Sequence, residues 1–248
     1  MPFHKIVRGE EIPTSNWHQL INTANQLDYS KARKTPGAYI DEHYVSFQCW
    51  LGCVLAIAWL TGKRIDEILR LKRDKVRFSE TQVKIRFHVG KKKTRSAPIE
   101  LFEFQKARTI NHQAVPYIQL YLKEYDLYIS DPETYLFPAS TEPYLRTVNT
   151  RFVNGRGEQE IRRYSYECLG GYVRQETARG WLTKVNCQLP ENRRIYFHYA
   201  RHNIGIKLAY DGASPLVIAE VLDETPNRAI AYTKHAAGLS NPWTQQTE

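Results

Sequence analysis

The sequence predicts a mixed fold, mainly α-helical with a small antiparallel β-sheet. Two patterns carry that reading. From Asp41 onward, Tyr44, Phe47, Trp50, Leu51, Val54, Leu55, Ala58 and Trp59 recur at spacings of three and four, the period of a helix buried on a wide face. Val83, Ile85, Phe87 and Val89 then alternate with polar residues, as do Ala97, Ile99 and Leu101, which is the period of half-buried strands. With 248 residues, 42% hydrophobic and 25% charged, the chain has enough apolar material to offset the entropy of ordering. Its length suits one large domain or two small ones.

Residues 1–40 are polar and carry the turn dipeptide Pro36-Gly37. They read as an N-terminal arm or linker holding one short helix from Asn16 to Leu27. Thr61-Gly62 stops the long apolar helix, and Ile65, Ile68, Leu69 and Leu71 continue as a second short one with Glu67 near its start. Lys75 to Phe78 is a short strand. Gly90-Lys91-Lys92-Lys93-Thr94-Arg95 is a basic turn joining the two alternating strands. Ala114 to Tyr125 returns to a helical pattern, and Tyr135-Leu136-Phe137-Pro138 is a short extended piece.

Arg151 to Arg194 is the weakest stretch in pattern. Asn154-Gly155-Arg156-Gly157 reads as a loop, and Glu158 to Arg179 as a helix strained by Gly170-Gly171. His198 to Tyr210, Pro215 to Leu222 and Asn227 to His235 read as three helices with short joints, the first ending at Asp211-Gly212. There is no internal repeat and no low-complexity tract.

Charge narrows the partners. Thirty-five Lys+Arg against 26 Asp+Glu leaves 35 − 26 = +9, with a sequence pI near 9.3. That favours a polyanion, nucleic acid or an acidic membrane surface, without choosing between them. The first twenty residues hold Lys5, Arg8, Glu10, Glu11 and His18 and no apolar run, so no signal peptide is expected. The most apolar stretch, Trp50 to Leu60, has eleven residues, about half of the ~20 needed to span a bilayer. It reads as a buried helix, and no membrane partner is expected. Cys49, Cys53, Cys168 and Cys187 give one C-x3-C pair and no C-x2-C. No structural zinc site is expected, and the four read as free thiols of a reducing cytosol.

Judged singly, no polar residue is specific. Arg64 reads as a surface arginine, the Lys91–Lys93 turn as a solvated hairpin tip, and Tyr232 as one of sixteen tyrosines. His198 and Arg201, three apart, share a helical face. Order and context change this. The run LAIAWLTGKRIDEILRL over residues 55–71 resembles the first arginine box of the tyrosine recombinases, the phage-integrase and Xer group. The strand–turn–strand VGKKKTRSAPI over residues 89–99 is similar to their lysine hairpin, and Tyr135 to Pro138 to the segment after it. Phe197-His198-Tyr199-Ala200-Arg201-His202 resembles the H-x-x-R box, and Ala231-Tyr232-Thr233-Lys234-His235 the nucleophile box. Five pieces occur in the family's order from Asp41 to His235.

The chemistry accounts for the residue types. A phosphodiester under attack concentrates charge on two non-bridging oxygens, which preorganised cations in a dry site stabilise. Two arginines suit this, because each forks bidentately onto phosphate and stays charged. Arg64 and Arg201 are the expected clamp. A tyrosine hydroxyl, with a pKa near 10, needs a proton acceptor, and His198 fits that role. The resemblance implies that Tyr232 forms a 3′-phosphotyrosyl link and that a hairpin lysine protonates the leaving 5′-oxygen. Lys91 is favoured over Lys93 and Lys92 because it sits beside Gly90 at the turn entrance. Lys92, Lys93 and Arg95 are then expected DNA contacts. No metal and no cofactor is required, since the arginines and lysine supply the electrostatics and the phosphotyrosine keeps the bond energy. Glu67 is either an i,i+3 surface pair worth a few tenths of a kcal/mol or an acidic group orienting the first arginine.

Two departures from the family stand out. Where it usually reads Leu-Gly-His before the nucleophile, this chain reads Leu222-Asp223-Glu224. A carboxylate repels phosphate, so another group such as His202 or His235 fills the role, or Glu224 points away, or activity is reduced. Secondly, only 63 residues precede Arg64, too few for the family's N-terminal DNA-clamping domain beside the buried helix. The expected organisation is an arm over 1–40 and a tyrosine recombinase catalytic domain over 41–248. The 198 − 91 = 107 positions between Lys91 and His198 imply a family-specific insertion around 151–194.

The resemblance thus implies a site-specific recombinase acting on double-stranded DNA. It implies a homotetramer on DNA and a monomer or weak oligomer when free. The expected location is the cytoplasm of a prokaryotic cell, in association with the nucleoid. Two alternatives remain, a type IB topoisomerase and a DNA-binding protein on the same scaffold that has lost catalysis.

Overall fold

A computed structural model describes residues 11–29, 48–91, 100–128, 132–138, 144–153, 159–168 and 172–237. The helices are α1 (Thr14–Gln26), α2 (Trp50–Thr61), α3 (Ile65–Leu69), α4 (Val115–Tyr128), α5 (Gln175–Cys187), α6 (Phe197–Tyr210), α7 (Pro215–Leu222) and α8 (Pro226–Ala236). The strands are β1 (Val76–Phe78), β2 (Gln82–Lys91), β3 (Glu100–Thr109), β4 (Tyr144–Val153) and β5 (Gln159–Cys168).

Helix α2 is the axis of the fold. All twelve of its residues are buried, which requires cover on every side, and α1, α4, α5 and α6 provide it. Helix α1 turns Trp17, Leu20, Ile21 and Ala24 inward, the one-face spacing of an amphipathic helix. Trp17 stacks on Trp59 with ring centroids 5.6 Å apart and planes within 5°, a pair worth about 0.5–1.5 kcal/mol beyond its buried area. Residues 14–26, expected as a helix within an arm, are therefore part of the core. The Pro36-Gly37 turn, Tyr44 and Phe47 lie outside the described residues.

Strands β1, β2 and β3 form an antiparallel sheet in that order, in a register that sets Val76 against Ile85 and Phe87 against Phe104. Val83, Ile85 and Phe87 are buried while Lys84 and Arg86 face solvent, as the alternation predicts. Lys91 closes β2 opposite Glu100. Residues 92–99, with Ala97 and Ile99, lie outside the described residues. Leu136 and Phe137 are buried, and the Leu136 amide donates to the Leu71 carbonyl at 2.7 Å, tying the extended piece to the end of the α3 turn.

One expectation is corrected. Glu158 to Arg179 is not a helix strained by glycines. Residues 159–168 form β5, paired antiparallel with β4 with Val148 opposite Tyr164. The helix begins only at Gln175. Thr147, Val148, Thr150 and Val153 in β4, and Ile161, Tyr164 and Tyr166 in β5, are β-branched or aromatic and favour the pleated chain. The residues 154–158 that join the strands, and Gly170-Gly171, lie outside the described residues. Helix α5 buries Ala178, Trp181, Leu182 and Val185, a clean three-and-four spacing.

Helices α6, α7 and α8 gather a second, smaller cluster made of Ala209, Ile218, Ala219, Leu222, Ala229 and Tyr232. Helix α7 starts at Pro215, with the Ser214 hydroxyl accepting the Val217 amide, and α8 starts at Pro226; proline at the first helical position loses no hydrogen bond. Cys49, Cys53 and Cys187 are free thiols. No helix among the described residues is long and apolar enough to cross a membrane.

Candidate active site

The site begins where α2 ends. Gly62 caps α2 with φ +66°, a left-handed conformation that is cheap for glycine, and the chain turns so that Arg64 opens α3. Glu67, only 7% exposed, accepts the Arg64 backbone amide on Oε2 at 3.0 Å and the Arg64 Nη1 on Oε1 at 3.2 Å. The carboxylate thus fixes both the backbone and the guanidinium of Arg64, so the pair is no mere surface pair. Beneath it lies Lys63, fully buried, its Nζ 3.8 Å from Glu67 Oε2. Burial lowers the Lys63 ammonium pKa, against the opposing pull of Glu67 and Asp223.

Arg201 comes from α6, on the other side of the gap. Its side chain is nearly buried, and Nε donates to Glu224 Oε1 at 2.7 Å. Nη1 donates to the Gly62 carbonyl at 3.2 Å. Nη2 donates to the carbonyls of Leu222 and Asp223. Glu224 therefore points into the site, onto the arginine, rather than away from it.

Both arginines meet at the α7–α8 turn. Asp223 is the one non-glycine residue with positive φ among the described residues, at 53°, and this kink turns its carbonyl toward Arg201. The same carbonyl accepts from Arg64 Nη2 at 3.3 Å, and Asp223 Oδ2 lies 3.6 Å from Arg64 Nη1. Two guanidiniums from distant parts of the chain thus share one turn and its two carboxylates. Arg64 remains 45% exposed at its side chain, so its outer edge is open to an anion.

Tyr232 stands on α8 against α6. A Cβ on Gly205 would lie 2.7–2.8 Å from three atoms of the Tyr232 ring, closer than carbon atoms pack, so the absent side chain is what seats the ring. The Tyr232 hydroxyl is 3.1 Å from His202 Nδ1. Burial pushes its pKa up to about 12; Glu224 adds to the rise and Arg201 opposes it. Burial also lowers the His202 pKa, Glu224 opposing and Arg201 adding.

His198 sits one turn before His202, with ring centroids 5.9 Å apart and planes at 90°. It packs edge-on against Tyr199 at 4.3 Å, and desolvation, His202 and Arg179 lower its pKa. His235 makes no hydrogen bond to Tyr232, His202 or Arg201 among the described residues. Lys91 is placed at the end of β2, and Lys92, Lys93 and Arg95 lie outside the described residues.

Three residues that the sequence did not single out belong to this neighbourhood: Lys63, Asp223 as a carboxylate partner of Arg64, and Lys106 on β3. Lys106 Nζ donates to the Val221 carbonyl at 2.6 Å, at the end of α7. Burial, together with Lys63 and Arg108, pulls its pKa down to about 8. Lys63 adjoins Arg64 in the arginine-box run, while nothing in the local pattern marks Lys106. No cluster of three His, Cys, Asp or Glu able to hold a metal occurs among the described residues.

The order of these elements, with two arginines meeting beside a tyrosine near the C-terminal end, agrees with a match of residues 37–238 to the phage integrase family. The chain belongs to the phage integrase family. Among solved structures, this phage integrase chain is similar to the site-specific recombinase XerH bound to its difH substrate in a pre-cleavage complex, at 12% identity and a TM-score of 0.53. That match covers 94% of this chain and 52% of the other. It is also similar to XerH on a palindromic difH substrate in a post-cleavage complex, at 13% identity and a TM-score of 0.53, covering 96% of this chain and 54% of the other. The chain spans about half the length of these solved recombinases. At such identities the likeness concerns the fold. No curated protein matches the chain.

Proposed function

We propose that this member of the phage integrase family is a site-specific DNA recombinase that cleaves and rejoins strands through a 3′-phosphotyrosyl intermediate on Tyr232. The observation that carries this reading is the meeting of Arg64 and Arg201 at the Leu222–Glu224 turn, beside the helix face that holds the Tyr232 hydroxyl. In the proposed reaction the scissile phosphate enters at the exposed edge of Arg64 and exchanges with the Asp223 and Glu224 carboxylates for the two guanidiniums. Such pre-placed cations match the charge that develops on the non-bridging oxygens. Glu67 acts by holding Arg64. The lysine hairpin, with Lys91 at its entrance, protonates the leaving 5′-oxygen, while Lys92, Lys93 and Arg95 track the backbone. His198 is the histidine the resemblance puts forward for proton transfer, with His235 in a supporting place.

The partner is double-stranded DNA. The net charge of +9 supports it, as does the DNA substrate in both XerH structures. The proposed assembly on DNA is a homotetramer, since exchange of both duplexes needs four nucleophiles, and the proposed location is the cytoplasm of a prokaryotic cell at its nucleoid. The proposed organisation is one catalytic domain that takes in α1 together with residues 41–248, with a family-specific insertion around 151–194 that holds β5. A second reading, a DNA-binding protein without catalysis, is favoured by one observation: Arg201 is already occupied by Glu224 and three carbonyls.

The test is incubation with a library of nicked duplexes of randomised sequence, followed by denaturing electrophoresis. The recombinase reading expects a covalent protein–DNA adduct that Tyr232→Phe abolishes. Salt-sensitive binding with no adduct anywhere in the library would establish the second reading instead.

A further inference from the structure

Resting on the recombinase reading, we propose that His202, and not His198, is the residue that takes the proton from the Tyr232 hydroxyl as its oxygen attacks phosphorus. Tyr232 Oη and His202 Nδ1 are 3.1 Å apart, within the reach a general base needs. The seat of the ring fixes that contact, because Gly205, three residues after His202 on α6, presents bare backbone to Tyr232. Both partners are thereby held by packing before any substrate arrives. His198, by contrast, is exposed, lies against Tyr196 and Tyr199, and makes no hydrogen bond to Tyr232 among the described residues.

The charges around the pair suit the task. The groups facing His202 and Tyr232 are Arg201 and His198 on α6 and Glu224 on the α7–α8 turn. Burial, assisted by Arg201 and opposed by Glu224, keeps the His202 imidazole below its ordinary value of 6.5, so it is neutral near pH 7. With its own proton on Nε2 it offers Nδ1 as an acceptor. Tyr232, pushed up to about 12, does not ionise in advance. Its proton leaves as the new bond forms, when negative charge passes from the phenolic oxygen to a phosphate held by arginines.

The Tyr232 O–H bond breaks, the proton joins His202 Nδ1, and the imidazole becomes a cation. The phenolic oxygen forms a bond to phosphorus, the P–O5′ bond breaks, and the 5′-oxygen takes its proton from the hairpin lysine. Rejoining runs the same transfers in reverse, with His202 returning the proton to Tyr232.

The experiment is single-turnover adduct formation on a nicked duplex that the wild-type protein cleaves, for H202N and H198N across about pH 5 to 9. Asparagine at 202 sets an amide near the position of Nδ1, so it keeps a hydrogen bond to Tyr232 but cannot take up a proton. H202N is expected to bind the duplex like wild type, to cleave about 100-fold or more slowly, and to lose the fall in rate toward acid pH. H198N is expected to keep that fall. A rate for H202N within about tenfold of wild type with the acid limb intact, or an acid limb lost in H198N alone, overturns the assignment.

A second reading needs no cleavage and covers a poorly folded H202N. Histidine titration by NMR on the free protein should show the His202 pKa rising in Y232F, which removes the donor to the neutral ring, with His198 unmoved. A shift at His198 and none at His202 overturns the contact itself. A wild-type protein that forms no adduct overturns the recombinase reading, and this assignment with it, whatever the NMR result.

Discussion

The two arginines stand on regions of very different build. Arg64 rises from the main core, where α2 is covered on all sides and a tryptophan stack locks α1 to it. Tyr232 belongs to the small α6–α8 cluster, whose six buried residues include the tyrosine itself. One region is a platform with an exposed cation. The other is a modest cluster that uses the proposed nucleophile as part of its own packing. They join along a seam where α6 packs on α2: Phe197 and Ala200 of α6 belong to the main core, Ile204 and Leu222 pack beside Gly62, and Arg201 donates to the Gly62 carbonyl. The difference teaches that the proposed site is complete only while the seam is closed, because each region holds one of the two arginines and only one holds Tyr232, the proposed nucleophile. A small apolar cluster opens at lower free energy than a large one, so the seam residues set how often the site is assembled.

Breaking the seam should have the largest effect. Arg201→Ala removes the bond to the Gly62 carbonyl together with those that hold the Leu222–Glu224 turn, and leaves the half-buried Glu224 without its partner, a loss of up to about 3–5 kcal/mol. Urea unfolding should show the drop, and adduct formation should vanish even where folding is restored by osmolyte. Gly205→Ala comes next. Its methyl group would fall within 2.7 Å of the Tyr232 ring, and overpacking of this kind costs about 1–3 kcal/mol. Cleavage should fall far more than DNA binding, since Arg64 on the other region is untouched; parallel loss of both would show that the two regions are not separable.

Gly62→Ala strikes the same seam from the platform side. A φ of +66° costs a non-glycine residue about 1–2 kcal/mol, and the new methyl would meet Ile204 at 2.9 Å. The expected result is a lower unfolding midpoint with the adduct retained at reduced rate. The smallest effect is that of pH on stability. His112, His198 and His202 all have folded pKa values below the ordinary 6.5, chiefly through desolvation. Below 6.5 the unfolded chain then binds more protons than the folded one, so stability is full above that value and declines as pH falls beneath it. The urea midpoint should drop from pH 7.5 to 5.5, and His202→Asn should remove part of that dependence.

Much of both regions was legible in the sequence, for a physical reason. Helix α2 is a continuous apolar run closed by Gly62, α6 stops before Gly212, α7 and α8 open on prolines, and strand β2 alternates buried with exposed residues, and those signals are local. Arg64, Arg201 and Tyr232 stood in order along the chain, and the structure brings the first two to one turn, with the third beside it. Other features were not local. Strand β5 lacks clean alternation, since Arg162 and Arg163 interrupt it, and only its pairing with β4 reveals it. Helix α1 reads as polar along the chain, and its membership of the core depends on Trp17 finding Trp59. The direction of Glu224 rests on the left-handed turn at Asp223, which no pattern in Leu222-Asp223-Glu224 announces. That departure was visible as a residue type; its consequence, a carboxylate seated on the arginine, required the fold.

The most direct measurement is the identity of the residue that carries the DNA. Trypsin cuts after Arg228 and Lys234, which isolates Ala229–Lys234 with Tyr232 as its one tyrosine. Trapped adduct digested with nuclease and trypsin should yield that peptide bearing a 3′-linked nucleotide on Tyr232, and Tyr232→Phe should yield none. A nucleotide on any other residue, or an adduct that survives Tyr232→Phe, would contradict the assignment of the nucleophile to the α6–α8 cluster.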